Sequence, residues 1–77
     1  MHVAPTLRAE LAKRNIRYTD IAKAFGKTPQ AISEKLRRDN ANFTANQIEA
    51  YGALLGLSAS ELIARVERNQ EEKEQQK

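Results

Sequence analysis

The sequence predicts an all-α fold of five short helices. Apolar residues recur at helical spacing and nowhere alternate as in a strand. Stop signals fall at regular intervals, and two capping boxes open the last two helices. The 77 residues suffice for one small domain. It is read as residues 1–67, followed by a polar tail over 68–77, with no internal repeat or Gly/Ser linker.

The first helix, over about 5–14, opens at Ala4-Pro5-Thr6, because proline is tolerated in a first turn; Leu7 and Leu11 share one face. Asn15 reads as a left-handed cap, with Ile16 folding back onto the helix it ends. The second helix, over about 18–25, buries Ile21, Ala22 and Phe25 and stops at Gly26. In the third, over about 29–37, Thr28 caps the free amides and Pro29 takes the first position, where a missing N–H costs nothing. Ile32 and Leu36 form its inward stripe, and residues 37–42 follow as a polar loop.

Thr44-Ala45-Asn46-Gln47 fits the capping box, with Phe43 and Ile48 as its hydrophobic staple. It opens a fourth helix over about 45–55, lined by Ile48, Tyr51 and Leu55 and ended by Gly56. Gly52, inside that helix, costs about 1 kcal/mol relative to Ala and points to close helix packing. Ser58-Ala59-Ser60-Glu61 repeats the box, stapled by Leu57 and Leu62, and opens a fifth helix over about 59–69. After Val66 no apolar residue follows, so the tail has no face to bury. Pairs such as Arg68 and Glu72 extend the helix, which is expected to fray to disorder beyond about Glu71.

Composition removes several classes of function. Without cysteine there is no disulfide scaffold. No stretch approaches the roughly 18 apolar residues of a membrane span, and the N-terminus lacks the apolar core of a signal peptide. The expected location is cytoplasmic, with no membrane partner. Four aromatics are too few for a base-stacking platform. With His2 as the single histidine, no metal site of nitrogen and sulfur ligands can be assembled. No nucleophile–base pair is evident, so neither enzyme activity, nor a cofactor, nor a small-molecule ligand is expected. Gly26-Lys27-Thr28 copies the end of a phosphate-binding P-loop, but Ile21 stands where that loop needs glycine and no strand precedes it.

Charge is divided along the chain. Residues 1–40 carry nine Lys/Arg against four acids, net +5, and residues 41–77 carry four against six, net −2. A basic front half suits a one-sided anionic partner, with nucleic acid the first candidate. If Ile32 and Leu36 face inward, Gln30, Ser33, Glu34 and Arg37 share the far face of the third helix. A helix with such a polar face fits the major groove, where base edges display distinct donors and acceptors. Ala22 is small where two helices cross, and Gly26 supplies the positive φ their turn demands.

The stretch Tyr18–Arg37, followed by Phe43-Thr44, Ile48, Gly56-Leu57-Ser58 and Glu61-Leu62, resembles the helix-turn-helix domain of the lambda-repressor and Cro type over about Leu7 to Val66. The resemblance implies a compact five-helix domain that inserts its third helix into the major groove of a double-stranded DNA operator. The implied function is that of a phage-type or Cro-like transcriptional repressor. By position it implies base contacts from Thr28, Gln30 and Glu34, and phosphate contacts from Arg17 or Tyr18 and from the loop before the fourth helix. That loop holds Arg38, Asn40 and Asn42; Ser33 joins the base-reading set, and Lys27, Lys35 and Arg37 the phosphate-facing one. Pro29 stands where the family often has a polar residue. Arg37-Arg38-Asp39-Asn40 stands where many members have a glycine.

Two other readings share the fold: the DNA-binding antitoxin of a toxin–antitoxin pair, with the tail holding the toxin, and a protein-interaction domain that does not bind DNA. Glu34 either accepts from cytosine N4 or pairs with Arg37 or Arg38 on a solvated face. A weak homodimer is expected through the fifth helix and the end of the fourth, with Leu54 and Ile63 as candidates because each lies beside an inward stripe. The alternative is that both belong to the core.

Overall fold

The computed structural model describes the backbone of residues 2–75 and the side chains of residues 2–69. These form α1 (Val3–Lys13), α2 (Tyr18–Phe25), α3 (Pro29–Arg37), α4 (Ala45–Leu55) and α5 (Ala59–Gln75), with no strand among the described residues. The fold is all-α. α1 runs through the middle of the packing, against α3, α4 and α5, while α2 packs on α3 and α4 on α5. No helix among the described residues is long and apolar enough to cross a membrane.

Three helices end by the same local device. Asn15, Gly26 and Gly56 take left-handed φ values of 57°, 66° and 74°. The next N–H then reaches back to a carbonyl one turn inside the helix: Ile16 to Leu11 at 3.0 Å, Lys27 to Ala22 at 2.9 Å and Leu57 to Gly52 at 2.8 Å. Both capping boxes form. Thr44 Oγ1 accepts from the Gln47 N–H at 3.1 Å while Gln47 Oε1 accepts from the Thr44 N–H at 2.9 Å. Ser58 and Glu61 make the equivalent pair at 3.2 and 3.1 Å.

Three sequence expectations need correction. α1 spans Val3–Lys13 rather than about 5–14, because His2 adopts the extended cap conformation and Val3 and Ala4 are drawn into the core. α5 continues past the expected end near 69 to Gln75, through Glu, Gln and Lys residues that all favour helix. The fraying expected beyond about Glu71 falls on residues whose side chains lie outside the described set. Gly52 owes its small size to the α4–α5 turn rather than to a facing helix: a Cβ there would stand 2.6 Å from the Leu57 carbonyl oxygen.

Leu7, Leu11, Ile21, Ala22, Ile32, Leu36, Tyr51, Leu55, Leu62 and Val66 are buried as their spacing requires, with Val3 joining them. Ile16, Phe25, Phe43, Ile48 and Leu57 pack half-buried around that cluster. Phe25 and Phe43 both meet Tyr51 edge-on, with ring centroids 5.0 and 5.8 Å away. Burial, with the Tyr18 phenol nearby, pushes the Tyr51 hydroxyl above its ordinary pKa.

One carboxylate is built into the packing. Glu10, 6% exposed, meets Arg14 at the end of its own helix, Lys13 at 3.8 Å and Arg65 of α5 at 3.4 Å. Burial by itself would raise its pKa. The Arg14 hydrogen bond and the Lys13 and Arg65 charges outweigh that effect, and the carboxyl titrates below its usual range. Above it, Asn69 Nδ2 donates to the buried Thr6 hydroxyl at 2.8 Å, a second link between α1 and α5.

Candidate nucleic-acid interface

The third helix is the element on which any groove contact depends, and it is fixed at both ends. At its start Thr28 Oγ1 accepts from the Ala31 N–H at 3.1 Å, and Pro29 fills the first position. At its end Arg8 of α1 donates to the carbonyls of Leu36, at 2.6 Å, and Arg37, at 3.5 Å, and reaches Asp39 Oδ1 at 2.8 Å. A cation there satisfies carbonyls that have no helical partner and lies at the negative end of the helix dipole. Between these anchors Ile32 and Leu36 are buried.

With the inner stripe set, Gln30, Glu34 and Arg37 are exposed on the opposite side. Among the described residues none of the three makes a side-chain hydrogen bond or ion pair, and Glu34 pairs with neither Arg37 nor Arg38. Thr28 is exposed but occupied as the cap, leaving its hydroxyl hydrogen to donate. Ser33 sits at the edge of this face, half-buried.

The cationic residues are placed unevenly. Lys27 is exposed in the turn and Arg17 is exposed at the start of α2, where Asp20 accepts from its backbone N–H at 3.3 Å; Tyr18 is half-buried on the core. Arg38, Asn40 and Asn42 are exposed and share one polar hollow of about 380 Å³ with Lys35. The Lys35 ammonium itself turns back, donating to Gln47 Oε1 at 3.0 Å and lying 4.8 Å from the centre of the Phe43 ring. It ties α3 to the start of α4. Leu54 is half-buried against the core cluster, whereas Ile63, also half-buried, lies outside it.

The chain matches no family model, no curated protein and no solved structure. The site therefore rests on its own geometry. One residue that anchors its helix carries no functional signal in the sequence. Arg8 reads as one more surface cation on the first helix, and its acceptors lie 28 and 29 residues away. Glu10, which ties α1 to α5, had a local clue, since Arg14 stands four residues later, just past the end of α1.

Proposed function

We propose that this chain is a sequence-specific double-stranded-DNA-binding transcriptional regulator of the lambda-repressor and Cro type, with α3 lying in the major groove. The observation that carries this reading is the exposed polar face of α3, free of internal partners among the described residues, on a helix anchored by Thr28 and Arg8. In this reading Gln30 pairs in bidentate fashion with adenine and Glu34 accepts from cytosine N4, each contributing about 1–3 kcal/mol of discrimination. Thr28 adds a contact at the start of the face and Ser33 one at its edge. Arg17, Tyr18, Lys27, Arg37, Arg38, Asn40 and Asn42 meet phosphates. Lys35 joins them after leaving Gln47.

A repressor of this kind works in the cytoplasm, on the nucleoid. Occupying two half-sites about one helical turn apart calls for a dimer, and Ile63, half-buried outside the core cluster, supports α5 as its contact, with Leu54 at the edge. Fluorescence anisotropy with duplex DNA at graded salt is the test. About four to six neutralised phosphates give a log–log slope of roughly −4 to −5 per subunit. A slope near zero overturns the reading and leaves a protein-interaction domain. Co-purification with a small toxin would instead assign the antitoxin role.

A further inference from the structure

Between the end of α2, α3 and α4 lies a cleft of about 380 Å³. Its walls are Phe25, Ile32 and Tyr51, with the small side chains of Ala31 and Ala50 leaving the space between them. The remaining lining is Lys27, Lys35, Asn46 and Gln47, so two ammonium groups and two carboxamides border the apolar hollow, and no carboxylate does. The volume lies in the range of small-molecule sites, which combine an apolar body with a few convergent polar groups.

The cleft is pre-formed. Its aromatic wall is locked by the edge-on contact of Phe25 and Tyr51, whose planes meet at 83°. Lys35 is held at its border by Gln47 Oε1 and by the Phe43 ring. Because Gln47 Oε1 already accepts from both Lys35 and the Thr44 N–H, the amide of Gln47 offers only its NH2 group, which makes no bond among the described residues. At Lys27, Lys35 and Gln47 the border therefore donates and does not accept, and only Asn46 adds an acceptor oxygen beside its NH2 group. A cation is repelled by both lysines, and a neutral apolar body would desolvate them without giving them a partner.

We propose that this cleft binds a small carboxylate with a flat or branched apolar body, its body against Phe25, Ile32 and Tyr51 and its carboxylate toward Lys27, Lys35 and the Gln47 NH2. The proposal does not depend on DNA binding and is tested without DNA. The isotope-labelled full chain is titrated with naphthoate, with naphthalenemethanol, which has the same rings without the charge, and with naphthylmethylammonium, while amide shifts are followed by NMR.

Naphthoate should bind saturably, with shifts concentrated at Ala31, Asn46, Gln47 and Ala50. The alcohol should bind at least about tenfold more weakly and the ammonium compound not at all. Lys27→Gln, at an exposed position, should bring naphthoate affinity toward that of the alcohol. Ala50→Leu, which fills the hollow, should abolish both, with circular dichroism confirming that each variant stays folded. Equal binding of acid and alcohol overturns the proposal. So do shifts centred outside the cleft, naphthoate binding indifferent to Lys27→Gln, or no saturable binding at millimolar concentration.

Discussion

Two turns of this molecule, Gly26-Lys27-Thr28 and Gly56-Leu57-Ser58, follow the same path. Each has a left-handed glycine, a following N–H that reaches back into the helix, and a hydroxyl residue that caps the next helix. What surrounds them differs. Lys27 is exposed, whereas Leu57 is half-buried against the core. Ala22 fits beneath the first turn, but the second comes so close that only a glycine, Gly52, fits beneath it. The first turn leads into a helix with an outward face of Gln30, Glu34 and Arg37; the second leads into one with exposed Ser60, Ala64 and Glu67. The same local chemistry thus builds both turns, and the neighbours and the outward residues decide what each serves.

The comparison is broken most severely at Gly52. Gly52→Ala should destabilise the fold by about 1–3 kcal/mol, because the backbone carbonyl of Leu57 must move, even though alanine is the better helix former. Ala22→Gly, the reverse exchange in the other unit, should cost about 1 kcal/mol. Urea midpoints compare the two, and a Gly52→Ala variant as stable as wild type would remove the close approach as the explanation.

α1 holds the two units by different bonds, Arg8 to the end of α3 and Glu10 to Arg65 of α5. Glu10→Gln should cost about 1.5–3 kcal/mol at neutral pH, the range for a hydrogen bond to a charged group. The folded pKa of Glu10 is lowered, so its stabilisation is complete above the unfolded carboxylate value and is lost as pH falls through the folded one. Melting curves of wild type and Glu10→Gln should therefore converge in acid. Curves that stay parallel would show that the charge contributes nothing.

The caps sharpen the comparison further. Thr28→Ala and Ser58→Ala should each cost about 1 kcal/mol. Of these two caps only that of α5 is paired with a carboxylate, Glu61, whose pKa is lowered first by the Ser58 backbone N–H that it accepts from and then by the Ser58 hydroxyl. Its contribution is present above the unfolded carboxylate value and disappears as pH falls. The gap between Ser58→Ala and wild type should thus change below neutral pH, while that for Thr28→Ala should not.

The smallest stability effects are expected on the outward faces. Arg37→Ala and Arg68→Ala, both at exposed positions, should each shift stability by no more than about 0.5 kcal/mol. They should separate only in duplex binding, where loss of Arg37 lowers the magnitude of the salt slope by about 1 and loss of Arg68 leaves it unchanged. Equal slopes for the two would remove the distinction between the faces.

Much of this architecture was legible in the residues. The spans of α2, α3 and α4, both capping boxes, the left-handed positions at Asn15 and Gly26 and the stop at Gly56 follow from neighbours within five residues of one another. The exposed face of α3 was legible too, because burying Ile32 and Leu36 fixes which way Gln30, Glu34 and Arg37 point. The start of α1 was not: Ala4-Pro5 mimics a helix start, and only the core contacts of Val3 draw the helix two residues earlier.

The sequence by itself determined where α2, α3 and α4 begin and end, because hydrogen bonds across a cap or a turn are set by local backbone geometry and by the side chain at hand. Tertiary structure alone decided the rest. It turned Arg8 from a surface cation into the anchor of α3, bonded across 28 residues. It made Glu10 the junction with Arg65, 55 residues away, and paired Thr6 with Asn69 across 63. It drew Lys35 back to Gln47, 12 residues on, and brought the Leu57 carbonyl onto Gly52. Such pairings depend on how close two helices finally lie, a distance set by the packing of the whole core.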